Sequence, residues 1–170
     1  VEAAAPLLAD QVGVVERLAL ERRILELAAE HRVPVVSTVV TALLSCIYDG
    51  GGNISHRVQT PARAVIKPKR AYSSRAAYGA VADLYALEFL HNIHAVFPEH
   101  SCVFYTQDVG IAAMWAAMQP CQRQVIQSPG GHVNTRVTFP LDGGLFPALE
   151  GDKISQLKVR LGEFAEVGVK

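Results

Sequence analysis

The chain has 170 residues, half of them apolar and 19% charged, with sixteen basic and sixteen acidic side chains that cancel. That length fits one domain able to bury roughly 70% of its unfolded surface, and the composition excludes a disordered chain. Neutrality and the lack of a basic stripe give no electrostatic basis for a nucleic acid or a membrane surface as partner, and no apolar run approaches the roughly 20 residues of a membrane span.

Cys46, Cys102 and Cys121 are odd in number and lack CxxC spacing. This argues against a disulfide framework and for a reducing, cytoplasmic compartment. No segment reads as a secretory leader.

Residues 1–36 read as an N-terminal arm and helix, and 37–170 as the rest of a single domain. A helix is expected from about Val14 to His31, with Val14, Leu18, Leu25 and Ala28 on its apolar face. Glu16, Arg17, Glu21, Arg22, Arg23 and Glu26 fall on a solvated face. Pro34 closes this element. The apolar run Val35–Tyr48 fits a buried helix or strand by periodicity; Thr38 near its start favours a helix. Asp49-Gly50-Gly51-Gly52-Asn53 is a turn that either presents backbone N–H groups to an anion or simply reverses the chain. Ile54–Val58 alternates as a strand, and Ala64–Ile66 is a second, short one. Lys67, Lys69 and Arg70 around Pro68 form either a solvated loop or a seat for a carboxylate or phosphate.

Ala80–Phe97 is expected to be helical, with Leu84, Leu87 and Leu90 on one face. Glu88, His91 and His94 recur at three-residue steps and share a side of it; a single helical histidine is usually structural, and two with a carboxylate set a joint chemical role beside that reading. Pro98 ends the helix, and Cys102–Tyr105 reads as a strand leading to Gln107. A helix end and the next strand can converge on one pocket, so 88–107 is the densest candidate site. Val109–Met118 reads as an apolar helix around Trp115, a core or interface residue. Gln124–Gln127 and Val133–Phe139 read as strands, and a helix from Asp152 is expected to give way to a strand at Leu157–Leu161.

From about residue 37 to 168 this order of motifs resembles the class II aldolase/adducin superfamily. Gly52-Asn53-Ile54-Ser55-His56-Arg57 is similar to its GN-[IV]-S-x-R turn, and Val65-Ile66-Lys67-Pro68 to its strand ending in I-x-P. Glu88, His91 and Ile93–Cys102 resemble its acidic residue, helix histidine and I-Y-x-x-x-P-D stretch, with Pro98-Glu99 at the P-D pair. The resemblance implies an α/β fold, a three-layer α/β/α sandwich with a central, mainly antiparallel sheet, and a homotetramer. Where the family's H-T-H motif holds a divalent metal, this chain has Tyr105 and Gln107, and no histidine stands near Gly162-Glu163, where the H-G pair falls. The usual metal site is therefore expected to be lost, and no cofactor is implied.

The resemblance then implies a metal-independent lyase, isomerase or cyclase acting on a carbonyl-containing small molecule by acid–base catalysis. His91 or His94 is the base, Glu88 orients it or exchanges a proton, Tyr105 donates to an oxyanion, and Gln107 holds the carbonyl. Asn53, Ser55, Lys67, Lys69 and Arg70 bind the substrate. Two alternatives stand beside it. One is a non-catalytic, adducin-type oligomeric scaffold. The other is a small haem- or ligand-binding domain of the GlcG-like kind, which the Asp49–Asn53, Arg70–Ser74 and Pro140–Pro147 stretches resemble.

Overall fold

The computed structural model describes residues 1–49, 60–100, 103–119, 121–127, 133–139, 141, 144–149 and 151–167. Six α-helices dominate them: α1 Arg17–Glu30, α2 Thr38–Ile47, α3 Pro61–Ile66, α4 Ser74–Val96, α5 Val109–Ala117 and α6 Asp152–Val167. A 3-10 turn at Ala5–Leu8 precedes them, and the strands β1 Gln122–Gln127 and β2 Val133–Thr138 lie between α5 and α6.

Helix α2 is the centre of the fold. All ten of its residues are buried, as expected of a helix apolar on every side. The Ser37 hydroxyl caps its start by accepting from the Val40 N–H at 3.3 Å. Helices α1, α3 and α4 pack around it. The segment 144–149 closes the remaining side, with Leu145 and Phe146 fully buried. Its polar groups are matched: the Ser45 hydroxyl donates to the Leu145 carbonyl, and the Ala148 N–H to the Tyr48 carbonyl at 3.1 Å.

Helix α1 buries only the later half of the expected face, Leu25 and Ala28. Val14 and Leu18 are 70% and 61% exposed, whereas Glu21, Ile24, Leu25 and Ala28 are buried. The cause is tertiary. Arg160 on α6 donates to both carboxylate oxygens of Glu21, and the Tyr48 hydroxyl donates to Oε2. A carboxylate with three charge-assisted or hydroxyl donors can be buried where an unpaired one cannot. Burial, then the bond to Glu21, pushes the Tyr48 phenol well above its ordinary range. The Arg17 guanidinium lies over the Tyr48 ring at 5.7 Å.

Ala64–Ile66, expected as a strand, belongs to α3. The Thr60 hydroxyl accepts from the Arg63 N–H at 3.3 Å, and Pro61 occupies the first turn, where its missing N–H costs nothing. The helix stops at Lys67, whose φ of 50° is left-handed, with Pro68 next. Helix α4 starts six residues earlier than expected, capped by Ser73. Leu157–Leu161 is helical and not a strand: Leu157 is buried and Val159 is 61% exposed.

The strands pair antiparallel, Gln122 opposite Thr138 and Gln127 opposite Val133, and the ribbon packs on α4. The Thr135 hydroxyl donates to the Asn92 side-chain carbonyl at 2.6 Å. This two-stranded ribbon is all the β structure among the described residues. The expected α/β sandwich around a central sheet is therefore corrected to a mostly helical fold. Two segments expected to supply that sheet, 64–66 and 157–161, are helical, and 103–106 has no regular structure. The glycine turn after Asp49 and the strand expected at Ile54–Val58 lie outside the described residues. Among the described residues, no helix is long and apolar enough to cross a membrane.

Candidate functional site

The expected site does not converge. The structure divides it between a buried aromatic enclosure and an open polar cleft.

The enclosure forms where α4, α5 and the ribbon meet. His91 is fully buried, its ring stacked on Trp115 at 4.3 Å and 27°, with the Phe139 ring edge-on at 5.3 Å. His91 Nδ1 lies 3.3 Å from the Cys121 thiol sulfur. His94 is half-buried, 6.1 Å from the Trp115 ring. Glu88 is also half-buried, and its Oε2 is shielded with no hydrogen-bond partner among the described residues. His91 and His94 thus both lie against Trp115. His91 is enclosed by rings and not presented to a substrate.

Tyr105 is 89% exposed on the irregular 103–106 segment and joins neither group. Lys69 is exposed, and Arg70 forms an exposed ion pair with Asp10 at 3.0 Å. Asn53 and Ser55 lie outside the described residues.

Lys67 and Gln107 do meet, in a cleft of about 730 Å³ whose walls include Arg63, Pro68, Asp108 and Gly110. Helix α5 places Asp108 there. Its Oδ1 accepts from the Gly110 N–H at 2.7 Å and the Ile111 N–H at 3.2 Å, capping the helix. Its Oδ2 accepts from Lys67 Nζ at 3.3 Å. The Ile111 N–H, then the Lys67 ammonium, hold the Asp108 carboxyl below the ordinary carboxylate range. Asp83 on α4 feels the same charges. Its carboxyl is pushed upward, first by burial and then by the negative charge of Asp108, with Lys67 opposing. Arg63 pairs with Asp49 at 3.1 Å, and both side chains are largely buried.

Close packing fixes the cleft floor. A Cβ on Gly110 would stand 2.9 Å from Ala64 Cβ and 3.1 Å from the Ala64 carbonyl carbon, so α3 and α5 touch backbone to backbone. Lys67 owes its position to its left-handed backbone, which ends α3 and turns the chain at the cleft edge. A non-glycine residue there carries strain of about 1 kcal/mol or more.

Sequence reading missed Asp83, Asp108, Arg63 and Cys121. Asp108 carries a signal, since an aspartate just before an apolar helical run is a helix-start signature. Asp83 and Cys121 carry none, because their neighbours come from distant parts of the chain. Among the described residues, no group of three or more His, Cys, Asp or Glu side chains is placed to hold a metal ion. Comparison with known protein families, with curated proteins and with solved structures finds no match to this chain.

Proposed function

We propose that the chain is an enzyme that moves protons on a small molecule bearing a carbonyl and an anionic group, and that it works in the Lys67–Asp108 cleft. One observation carries this reading. Asp108 and Lys67 line an open polar cleft, and Asp83, which is not among its walls, feels the charge of both; the two carboxyl groups are driven in opposite directions. Two carboxyls separated in this way are suited to act as proton donor and proton acceptor. In this reading Asp108, in the cleft wall beside Lys67, takes the proton, and Asp83 is the more readily protonated carboxyl of the two. Lys67 is 69% exposed on a flexible stem, free to leave Asp108 for an incoming carboxylate or phosphate. The Gln107 amide offers both a donor and an acceptor to the carbonyl. The acid–base chemistry expected of the histidines is thereby assigned to aspartates.

The test is solvent deuterium exchange, followed by proton NMR, on a panel of carboxylated and phosphorylated ketones and aldehydes. The expected result is protein-dependent exchange beside the carbonyl of at least one compound. It is lost in Lys67→Met and in Asp108→Asn, which keeps a good cap. No protein-dependent exchange, or exchange that survives both substitutions, overturns the proposal.

A second reading, an assembly subunit, is favoured by Tyr78, Tyr85 and Phe89. They lie on one side of α4 by their spacing of seven and four, and all three are exposed. Light scattering that finds a monomer at high concentration removes it.

A further inference from the structure

The Cys121–His91 pair has no part in the cleft. Neither residue is among the walls of that cleft or of the apolar cavity formed by the N-terminal residues with α1 and α2. Its geometry is nonetheless that of a thiol with a proton partner. The Cys121 sulfur and His91 Nδ1 are 3.3 Å apart, within hydrogen-bonding reach for sulfur. Two rings hold the imidazole in place: Trp115, stacked at 4.3 Å, and Phe139, edge-on at 5.3 Å. The indole face favours the protonated imidazole by cation–π attraction, against the desolvation that burial imposes on it, and an imidazolium beside a thiol favours the thiolate. Cys121 is partly exposed, whereas His91 is fully buried. Cys46 is the opposite case. It is fully buried on α2, and burial pushes its thiol up to about 12.

We infer that Cys121 is a modification site, a thiol that small hydroperoxides oxidise to the sulfenic acid with His91 as its proton partner. The thiolate sulfur attacks the terminal peroxide oxygen. The S–O bond forms as the O–O bond breaks, the thiol's proton having passed to the buried His91 imidazole, and the leaving hydroxide or alkoxide takes a proton from solvent. Sulfur is oxidised by two electrons and the peroxide is reduced to water or an alcohol.

The experiment treats the reduced, full chain with hydrogen peroxide in the presence of dimedone, then quantifies the three cysteine peptides by mass spectrometry. Cys121 is expected to label at least about tenfold faster than Cys46, and His91→Gln to slow Cys121 about tenfold without changing Cys46. Labelling no faster than Cys46, or unchanged in His91→Gln, overturns the inference. If that variant does not fold, native-chain alkylation of Cys121 by iodoacetamide decides the question. A fall of less than about tenfold between about pH 8 and about pH 6 supports a thiolate held by His91, and a larger fall, the behaviour of an ordinary thiol, overturns it.

Discussion

Glu21–Arg160 and Asp108–Lys67 are both carboxylate–cation pairs, yet they occupy opposite situations. The Glu21 side chain is 2% exposed and its oxygens are occupied by Arg160 and Tyr48. Its donors are all protein groups, and it joins α1 to α6. Asp108 faces a cleft, and its partner Lys67 is mostly in water. An ion pair of this exposed kind adds little to stability, because solvent screens it and ordering the long side chain costs entropy. The buried pair is committed to the fold, and the open one can exchange its partner for a ligand. Two pairs of like chemistry are therefore told apart by what else can reach them.

Arg160→Met strikes the buried pair and should have the largest effect. It strips Glu21 of a guanidinium, and about 3 kcal/mol should be lost in urea denaturation. A companion Glu21→Leu/Arg160→Leu double variant should recover part of that loss, since no buried charge is left unmatched although the buried Tyr48 hydroxyl loses its acceptor. If the single variant loses nothing, the two pairs are alike and the contrast fails. Gly110→Ala tests the packing beneath the open pair: the added methyl meets Ala64 atoms on α3, and about 1–3 kcal/mol should be lost by the same measurement.

Smaller effects are expected at the open pair itself. Asp108→Asn should melt close to the parent and Asp108→Ala clearly below it, because asparagine still accepts from the Gly110 and Ile111 N–H groups and alanine does not. The smallest effect belongs to Asp83. Its folded carboxyl titrates above the unfolded one, so its ionised form opposes folding above that raised value, and the cost vanishes below the ordinary value near 3.8. Asp83→Asn should therefore be slightly more stable at neutral pH, with the advantage gone below about pH 4 in chemical denaturation. Asp108 has the opposite sign. Its depressed carboxyl supports folding above its ordinary value, and that support is lost as pH falls through the depressed one.

Much of the helical framework is legible in the residues. The apolar run 38–47, the second long helix and the helix around Trp115 all follow from length, apolar content and a polar residue at each start. Thr60-Pro61 also carries a helix-start pattern, but Ala64–Ile66 alone looks like a strand, and six residues are too few for periodicity to decide. On α1 the inward stripe is Glu21, Ile24, Leu25 and Ala28, a regular helical spacing with one acidic member. The spacing is visible in the sequence. That the acid points inward is not, because its justification is an arginine on the last helix.

The candidate site was less legible for the same reason. Density of reactive side chains drew attention to Glu88, His91 and His94, and both histidines lie against Trp115. Their accessibility was set by Trp115 and Phe139, which arrive from α5 and the end of the ribbon. Lys67 and Gln107, expected from the sequence to touch a substrate, do line one cleft, but the pairing of Lys67 with Asp108 there is set by the fold.

The Glu21–Arg160 contact has a further consequence in time. It spans 139 residues of chain. A ribosome adding about 5–20 residues per second needs roughly 7–28 s to make that stretch, and during it the first helix has a carboxylate with nowhere dry to go. The apolar residues of α1 can pack on α2 before then, but the Glu21 carboxylate gains its guanidinium only once residue 160 has been made.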